Sequence, residues 1–324
     1  MKACVLHAIN DLRYEEVEKP IPKPGEVLVK IKASGICGSD IPRVFTKGTY
    51  NFPTIPGHEF GGIIEEAEKK ALIGKKCTVF PLLPCRKCDM CDLGNYAQCE
   101  NYNYFGSRCD GGFAEYIAVP EWNIVIAPDE LSYEEIAMCE PAAVALHSLE
   151  RANVRAGDSL AVFGAGPIGI MIGKWAQIKG ISDIYLIDID PKKVEFAESL
   201  GFKTELSEQV DISIEGAGVS QTLEQAAIWT KPFGTVVCMG NPAEKMELSQ
   251  KGYWNILRKE LMLKGTWNSG YKSSENDWKT VLKSLNKLDI GCLVSHRYSL
   301  SECNEAFNLV NDRKVYFNKV MFMV

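Results

Sequence analysis

From Ser159 onward the apolar positions keep a rhythm: a short apolar run, a break, then a longer helix-like stretch. Ser159-Leu160-Ala161-Val162-Phe163 reads as a buried strand, followed by a glycine turn and an apolar helix over 168–179. Strands at 183–187, 210–214 and 235–239 alternate with helices at 192–200 and 221–229, and a further strand is read at 261–265. Alternation at this spacing predicts a doubly wound parallel sheet. A helix over 142–153 leads into it.

The first 120 residues have another texture. Short β-type runs (27–31, 60–64, 76–80) are punctuated by Pro20, Pro22, Pro24, Gly25, Pro53, Pro56 and Gly57, which predicts a mostly-β region. From about residue 291 the texture is mixed again. Residues 297–300 precede a helix over 302–311, and 319–324 close as a strand that is expected to rejoin the first region. The expected division is 1–143, 144–290 and 291–324, with a small cysteine lobe near 85–99.

A chain of 324 residues suits two domains. At 46% hydrophobic and 24% charged it has the composition of a folded globular protein. The net charge of −6 argues against a nucleic-acid partner, which calls for a basic footprint, and against an anionic membrane. No apolar run approaches the roughly 20 residues that span a bilayer, and Met1-Lys2-Ala3-Cys4 opens no signal-like apolar region, so a cytoplasmic location is expected. In a reducing compartment the twelve cysteines are not a disulfide framework. Cys4, Cys77, Cys109, Cys139, Cys238, Cys292 and Cys303 stand singly and are expected as small buried apolar residues.

Two motifs carry chemistry on their own. Gly164-Ala165-Gly166-Pro167-Ile168-Gly169 is a G-x-G-x-x-G between a strand and a helix, the context that makes it a dinucleotide turn. Gly164 serves the tight turn, Gly166 the approach of a pyrophosphate, and Gly169 the packing of helix on strand; the helix start, Pro167 and Ile168, offers its dipole to the phosphates. Asp188, nineteen residues beyond Gly169, can accept from both ribose hydroxyls and would repel a 2′-phosphate, favouring NAD over NADP. Lys193 is grouped with these as a cofactor residue. Cys85, Cys88, Cys91 and Cys99 follow C-x2-C-x2-C-x7-C, a spacing for a closed tetrahedral zinc site of structural type. An iron–sulfur cluster is the rival; Asp89, Asp92 and Asn95, with no flanking apolar shell, weigh against it.

Cys37-Gly38-Ser39-Asp40, Gly57-His58-Glu59 and Glu140-Pro141 are joined by no spacing rule. Taken in order with the cysteine quartet, Asp110-Gly111-Gly112-Phe113 and the glycine turn, they resemble the medium-chain zinc dehydrogenases over essentially the whole chain. That resemblance implies a Rossmann sheet plus a GroES-like, mostly-β catalytic domain. It implies Cys37, His58 and Glu140 as ligands of a catalytic zinc, Glu59 as a fourth ligand or the holder of a metal-bound water, and Asp40 as the carboxylate orienting the histidine. Glutamate at the third position is similar to the polyol dehydrogenase branch, so the expected substrate is a polyol or polyol phosphate, and a homodimer or homotetramer is the usual state. Two departures stand out: Pro42 replaces a histidine that ends a proton relay in many members, and the 65–75 segment is short. Ser39 is then the expected first proton acceptor. Arg43 and Arg108 are candidates for a substrate phosphate, and Trp267 and Asn268 for the substrate pocket. A zinc-free reductase on the same architecture, a non-enzymatic zinc module and a degenerate NAD binder are the alternatives.

Overall fold

The strand Ser159–Phe163 has every residue buried, as its unbroken apolar run requires. In the computed structural model, which describes residues 1–272, 276–312 and 314–324, it is flanked by Asp183–Ile187 on one side and Val210–Glu215 on the other. Thr230–Cys238 and Met262–Gly265 continue the sheet, and all five strands are parallel. The sheet grows outward in both directions from Ser159–Phe163, so a crevice opens at the carboxyl ends of that strand and Val210–Glu215, where such sheets bind ligands. The helices Pro167–Ile178, Pro191–Ser199, Ser220–Trp229 and Gln250–Arg258 make the crossovers. Ala161, Phe163, Tyr185, Val210, Ala226 and Val236 share one core. Lys259 closes the end of Ser220–Trp229 by donating from Nζ to the carbonyls of Ile228 (2.5 Å) and Thr230 (2.8 Å). Together these elements make one compact unit, Ala142–Ser269.

The other unit joins Met1–Pro141 to Gly270–Val324. Its seven-stranded sheet runs in the order Val294–Ser299, Lys319–Met323, Glu26–Gly35, Glu59–Glu66, Lys76–Val79 and Ile124–Ile126, with Tyr116–Pro120 also paired on Glu26–Gly35. The short 65–75 connection forms a single 3-10 turn, Lys70–Leu72. The return to this unit begins at Gly270, well ahead of the expected residue 291, and the first segment closes at Pro141 rather than 143. An aromatic cluster explains the early return. Tyr271 stacks on Phe80 at 4.2 Å and donates from its hydroxyl to the Trp122 carbonyl, and Trp278 of helix Asp277–Leu288 meets Phe80 edge-on at 5.6 Å. Of the single cysteines, Cys4, Cys77, Cys139 and Cys303 are buried as expected and Cys109 and Cys238 partly so, whereas Cys292 is exposed in a 3-10 turn that no core covers. Among the described residues, no helix is long and apolar enough to cross a membrane.

Candidate functional site

Cys37 comes one residue after the strand Glu26–Gly35, in a turn closed by the buried side chain of Asp40. Asp40 accepts from the Cys37 N–H at 3.0 Å and from Arg43 Nη1 at 2.9 Å, and its Oδ1 lies 3.5 Å from His58 Nδ1. Burial works to raise the Asp40 pKa, but His58, Arg43 and the Cys37 N–H outweigh it and hold the carboxyl below its ordinary value. His58 shows the mirror effect: burial disfavours its charge, yet Asp40 and Cys37 hold its pKa well above normal.

The segment 55–58 is clamped by 110–113. Asp110 accepts from the Ile55 N–H, and the N–H groups of Gly111, Gly112 and Phe113 donate to the carbonyls of Ile55, Gly57 and Pro56. A Cβ on Gly111 would lie 2.0 Å from the Gly57 carbonyl oxygen, so the D-G-G-F motif is the tightly fitted back of the histidine's seat.

Glu59 opens the strand after His58 and is almost completely buried. Its Oε2 accepts from Lys319 Nζ at 2.5 Å, and Lys319 also donates to the Ile36 carbonyl. Ligand atoms of Cys37, His58 and Glu59 all lie within 4.8 Å of one another, a spacing that could hold a metal ion. Glu140, in the first turn of helix Cys139–Ala152, lies outside that three-atom set. It accepts from the Tyr104 hydroxyl at 3.3 Å, and Tyr104 packs its ring edge-on against His58 at 5.7 Å. Burial lifts the Glu140 pKa to about 7; His58 and Lys319 oppose the rise and Glu59 adds to it. Two of these acids are paired with a cation: Asp40 with Arg43 and Glu59 with Lys319. Sulfur, nitrogen and carboxylate donors suit zinc.

Ser39 donates to Cys37 Sγ at 3.4 Å and accepts from Arg43 Nη1 at 2.9 Å. Arg43 is therefore engaged with Asp40 and Ser39. Arg108 lies elsewhere, against the rings of Tyr50 and Tyr102.

The sulfurs of the quartet also converge within 4.8 Å. The separations Cys88–Cys91, Cys85–Cys91 and Cys88–Cys99 are 3.6, 3.9 and 3.9 Å. Four thiolates about 2.3 Å from one central ion would stand about 3.8 Å apart, whereas a disulfide needs about 2.0 Å. The N–H groups of Cys85 and Arg86 donate to Cys99 and Cys91 sulfurs. The lobe is less bare than its polar residues imply, since Met90, Tyr96 and Tyr102 pack against the sulfurs.

In the parallel-sheet unit, Phe163 pairs with Ile187, which brings the glycine turn and Asp188 side by side. Asp188 accepts from the Ala165 N–H at 2.9 Å, and Lys193 Nζ stands 3.4 Å from the same carboxylate. Gly164 has φ +122°, and a Cβ on Gly169 would lie 1.9 Å from the Gly164 carbonyl oxygen. A Cβ on Gly166 would touch nothing, so that glycine answers no packing need and leaves the backbone open to approach. Gly166 caps helix Pro167–Ile178 without a side chain, leaving the N–H groups of Ile168 and Gly169 without intrahelical partners. Trp267 and Asn268 lie after Met262–Gly265 and join none of these clusters; Trp267 is exposed, and Asn268 has φ +53° with a buried, unpartnered Nδ2.

Known proteins share this combination. Residues 23–129 match the alcohol dehydrogenase GroES-like domain and residues 167–287 the zinc-binding dehydrogenase family. Galactitol 1-phosphate 5-dehydrogenase of Escherichia coli (strain K12) is 34% identical, over 94% of this chain and 95% of that protein. The chain belongs to the zinc-binding dehydrogenase family. The (R,R)-butanediol dehydrogenase of Bacillus subtilis (strain 168) is also 34% identical, over 82% of this chain and 84% of its own. The crystal structure of galactitol-1-phosphate dehydrogenase from Escherichia coli superposes over 100% of both chains with a TM-score of 0.93 at 32% identity.

As a zinc-binding dehydrogenase, the chain is an oxidoreductase of alcohols that works with zinc and a nicotinamide cofactor, and the non-enzymatic zinc module and the zinc-free reductase fall away. Sequence reasoning missed two residues of the dehydrogenase cluster. Lys319 is a lysine at the start of a buried apolar strand, a position that calls for a buried carboxylate partner. Tyr104 gave no local signal, because its partners Glu140 and His58 are distant in sequence.

Proposed function

We propose that this dehydrogenase oxidises a secondary hydroxyl of a polyol or polyol phosphate to a ketone, with NAD as the hydride acceptor. The convergence of Cys37, His58 and Glu59 within 4.8 Å supports it above all. These three residues would hold the catalytic zinc with Glu140 beside them, and the quartet would hold a structural one. Zinc at the first site supplies a Lewis acid that lowers the pKa of an alcohol hydroxyl toward neutrality.

The protein's own groups do the rest. Asp40 fixes the ring of His58, and Arg43 fixes Asp40. Lys319 holds Glu59, so the carboxylate enters the cluster in one orientation. Ser39 has one lone pair occupied by Arg43 and its own proton directed at Cys37, which leaves its other lone pair for the substrate hydroxyl. Pro42 offers no ring nitrogen, so a proton taken up at Ser39 Oγ would have to pass to solvent by another route.

The test is NADH absorbance with a panel of polyols, polyol phosphates and short diols, alongside zinc counted by native mass spectrometry. Turnover on a polyol class with two zincs per chain is the expected result. Full zinc and tight NAD binding without turnover of any alcohol would overturn the proposal and leave a degenerate NAD binder.

Cofactor choice rests on Asp188. In Asp188→Ala the loss of the ribose acceptor and of its repulsion act in opposite directions on the two cofactors. The Kd for NAD should rise about 10–100-fold while that for NADP falls, with Lys193 left free to meet a 2′-phosphate. Fluorescence titration with both cofactors reads this; parallel weakening of both would mean that Asp188 serves the turn alone.

A further inference from the structure

Two arginines of the first unit were open to a substrate anion, and the structure separates them. Arg43 is compensated: its Nη1 is shared between the buried Asp40 carboxylate and Ser39. Arg108 has no carboxylate partner among the described residues. Its guanidinium carbon lies 4.3 Å from the centre of the Tyr50 ring and 4.5 Å from that of Tyr102, and Nη1 donates to the Tyr102 carbonyl at 3.3 Å. The loop around it is tied down as well. Asn51 Nδ2 donates to the Arg108 carbonyl at 3.0 Å, and the Tyr50 N–H donates to the Ser107 carbonyl.

A long side chain loses rotamer freedom when it is held this way. Packing on aromatic rings offsets that loss but does not neutralise the charge. Nε and Nη2 of Arg108 make no hydrogen bond to a described residue. They form the edge of the fork that matches two oxygens of a phosphate. The arrangement is a preoriented guanidinium with its bidentate edge free and no counter-ion among the described residues.

Its place relates it to the reaction. The Tyr102 ring meets Tyr104 at 6.4 Å, and Tyr104 in turn meets His58 at 5.7 Å and Glu140 by hydrogen bond. The free guanidinium edge is therefore two aromatic rings removed from the metal-ligand cluster, within one unit. A molecule with its reacting hydroxyl at the cluster would need an anionic end several carbons away to reach it, and a short diol has none. We propose that Arg108 receives the phosphate ester of the substrate, and that the substrate class is a polyol phosphate rather than a free polyol or diol. This rests on the dehydrogenase reading above and adds to it the identity of the substrate's far end.

The experiment compares galactitol 1-phosphate with galactitol in wild type, Arg108→Gln, Arg108→Lys and Tyr50→Ala. Wild type should prefer the phosphate ester. Arg108→Gln should raise KM for the ester about 10–100-fold, leave kcat within about threefold and leave the free polyol unmoved. Arg108→Lys should recover part of the loss, and Tyr50→Ala should fall between. A purely structural arginine would move both substrates together and lower the melting temperature. Equal losses on both, an unchanged KM for the ester, or a wild type indifferent to phosphorylation would each overturn the assignment. Calorimetric binding of galactitol 1-phosphate decides it even if no polyol is turned over: binding lost in Arg108→Gln upholds the anion site while the dehydrogenase proposal falls, and no binding to wild type overturns it.

Discussion

In His58→Ala the metal content should fall from two zincs per chain to one, and kcat/KM should drop by about 10³–10⁵-fold, the equivalent of the several kcal/mol that a Lewis acid contributes. His58 is the only nitrogen donor among the residues that converge with Cys37 and Glu59. It is also the partner that Asp40 faces from inside the fold. Without the imidazole, Cys37 and Glu59 lose the nitrogen donor that converges with them, and Asp40 keeps only Arg43 and the Cys37 N–H. The quartet is a separate constellation with its own N–H···S bonds and should keep its ion. Native mass spectrometry and steady-state kinetics on the same preparation check both halves. Two zincs retained, with activity within tenfold of wild type, would show that the ion sits elsewhere.

Gly169→Ala should damage the parallel-sheet unit and its cofactor binding together. The new methyl would lie 1.9 Å from the Gly164 carbonyl oxygen and 3.1 Å from its carbon. Both are backbone atoms of the same turn, so no side-chain rotation relieves the clash. The turn must open or the helix must move off the strand, at a cost of about 1–3 kcal/mol. NAD affinity should fall by at least about 100-fold, because the N–H groups at the helix start would no longer converge. Gly166→Ala is the control, since a Cβ there meets nothing within 4 Å. Its melting temperature should match wild type, while NAD binding weakens through the methyl's intrusion on the pyrophosphate. Thermal melts with NAD titrations distinguish the packing glycine from the cofactor glycine. Equal melting temperatures for both variants would contradict this division.

The parallel sheet was legible because its first strand, Ser159–Phe163, is buried throughout and the others follow it at a regular spacing. Ser159–Phe163 and Asp183–Ile187 appear at the predicted bounds. The cysteine quartet was legible because its members lie within one loop. The other cluster was not, because Cys37, His58, Tyr104, Glu140 and Lys319 come from five stretches that only tertiary packing brings together. Family resemblance supplied Cys37, His58 and Glu140, with Glu59 and Asp40 beside them, and the pairings of Glu59 with Lys319 and of Glu140 with Tyr104 needed coordinates. The return of the chain at Gly270 was missed for a related reason. Phe80, Tyr271 and Trp278 attract one another across nearly two hundred positions, and no periodic pattern records such a contact. Helix Gln250–Arg258 went unread because its large apolar residues, Tyr253, Trp254 and Leu257, stay exposed.

The strand Lys319–Met323 lies between Glu26–Gly35 and Val294–Ser299, antiparallel to one and parallel to the other. During synthesis, residues 142–269 can therefore emerge and fold while the seven-stranded sheet still lacks the two strands at one end. The earlier-made domain is the one that finishes later. Until the ribosome has passed residue 323, Glu59 lacks the lysine that neutralises it. A chain stalled or clipped just short of that strand would carry a finished dinucleotide fold on an open-edged partner, a form suited to capture by chaperones and proteases.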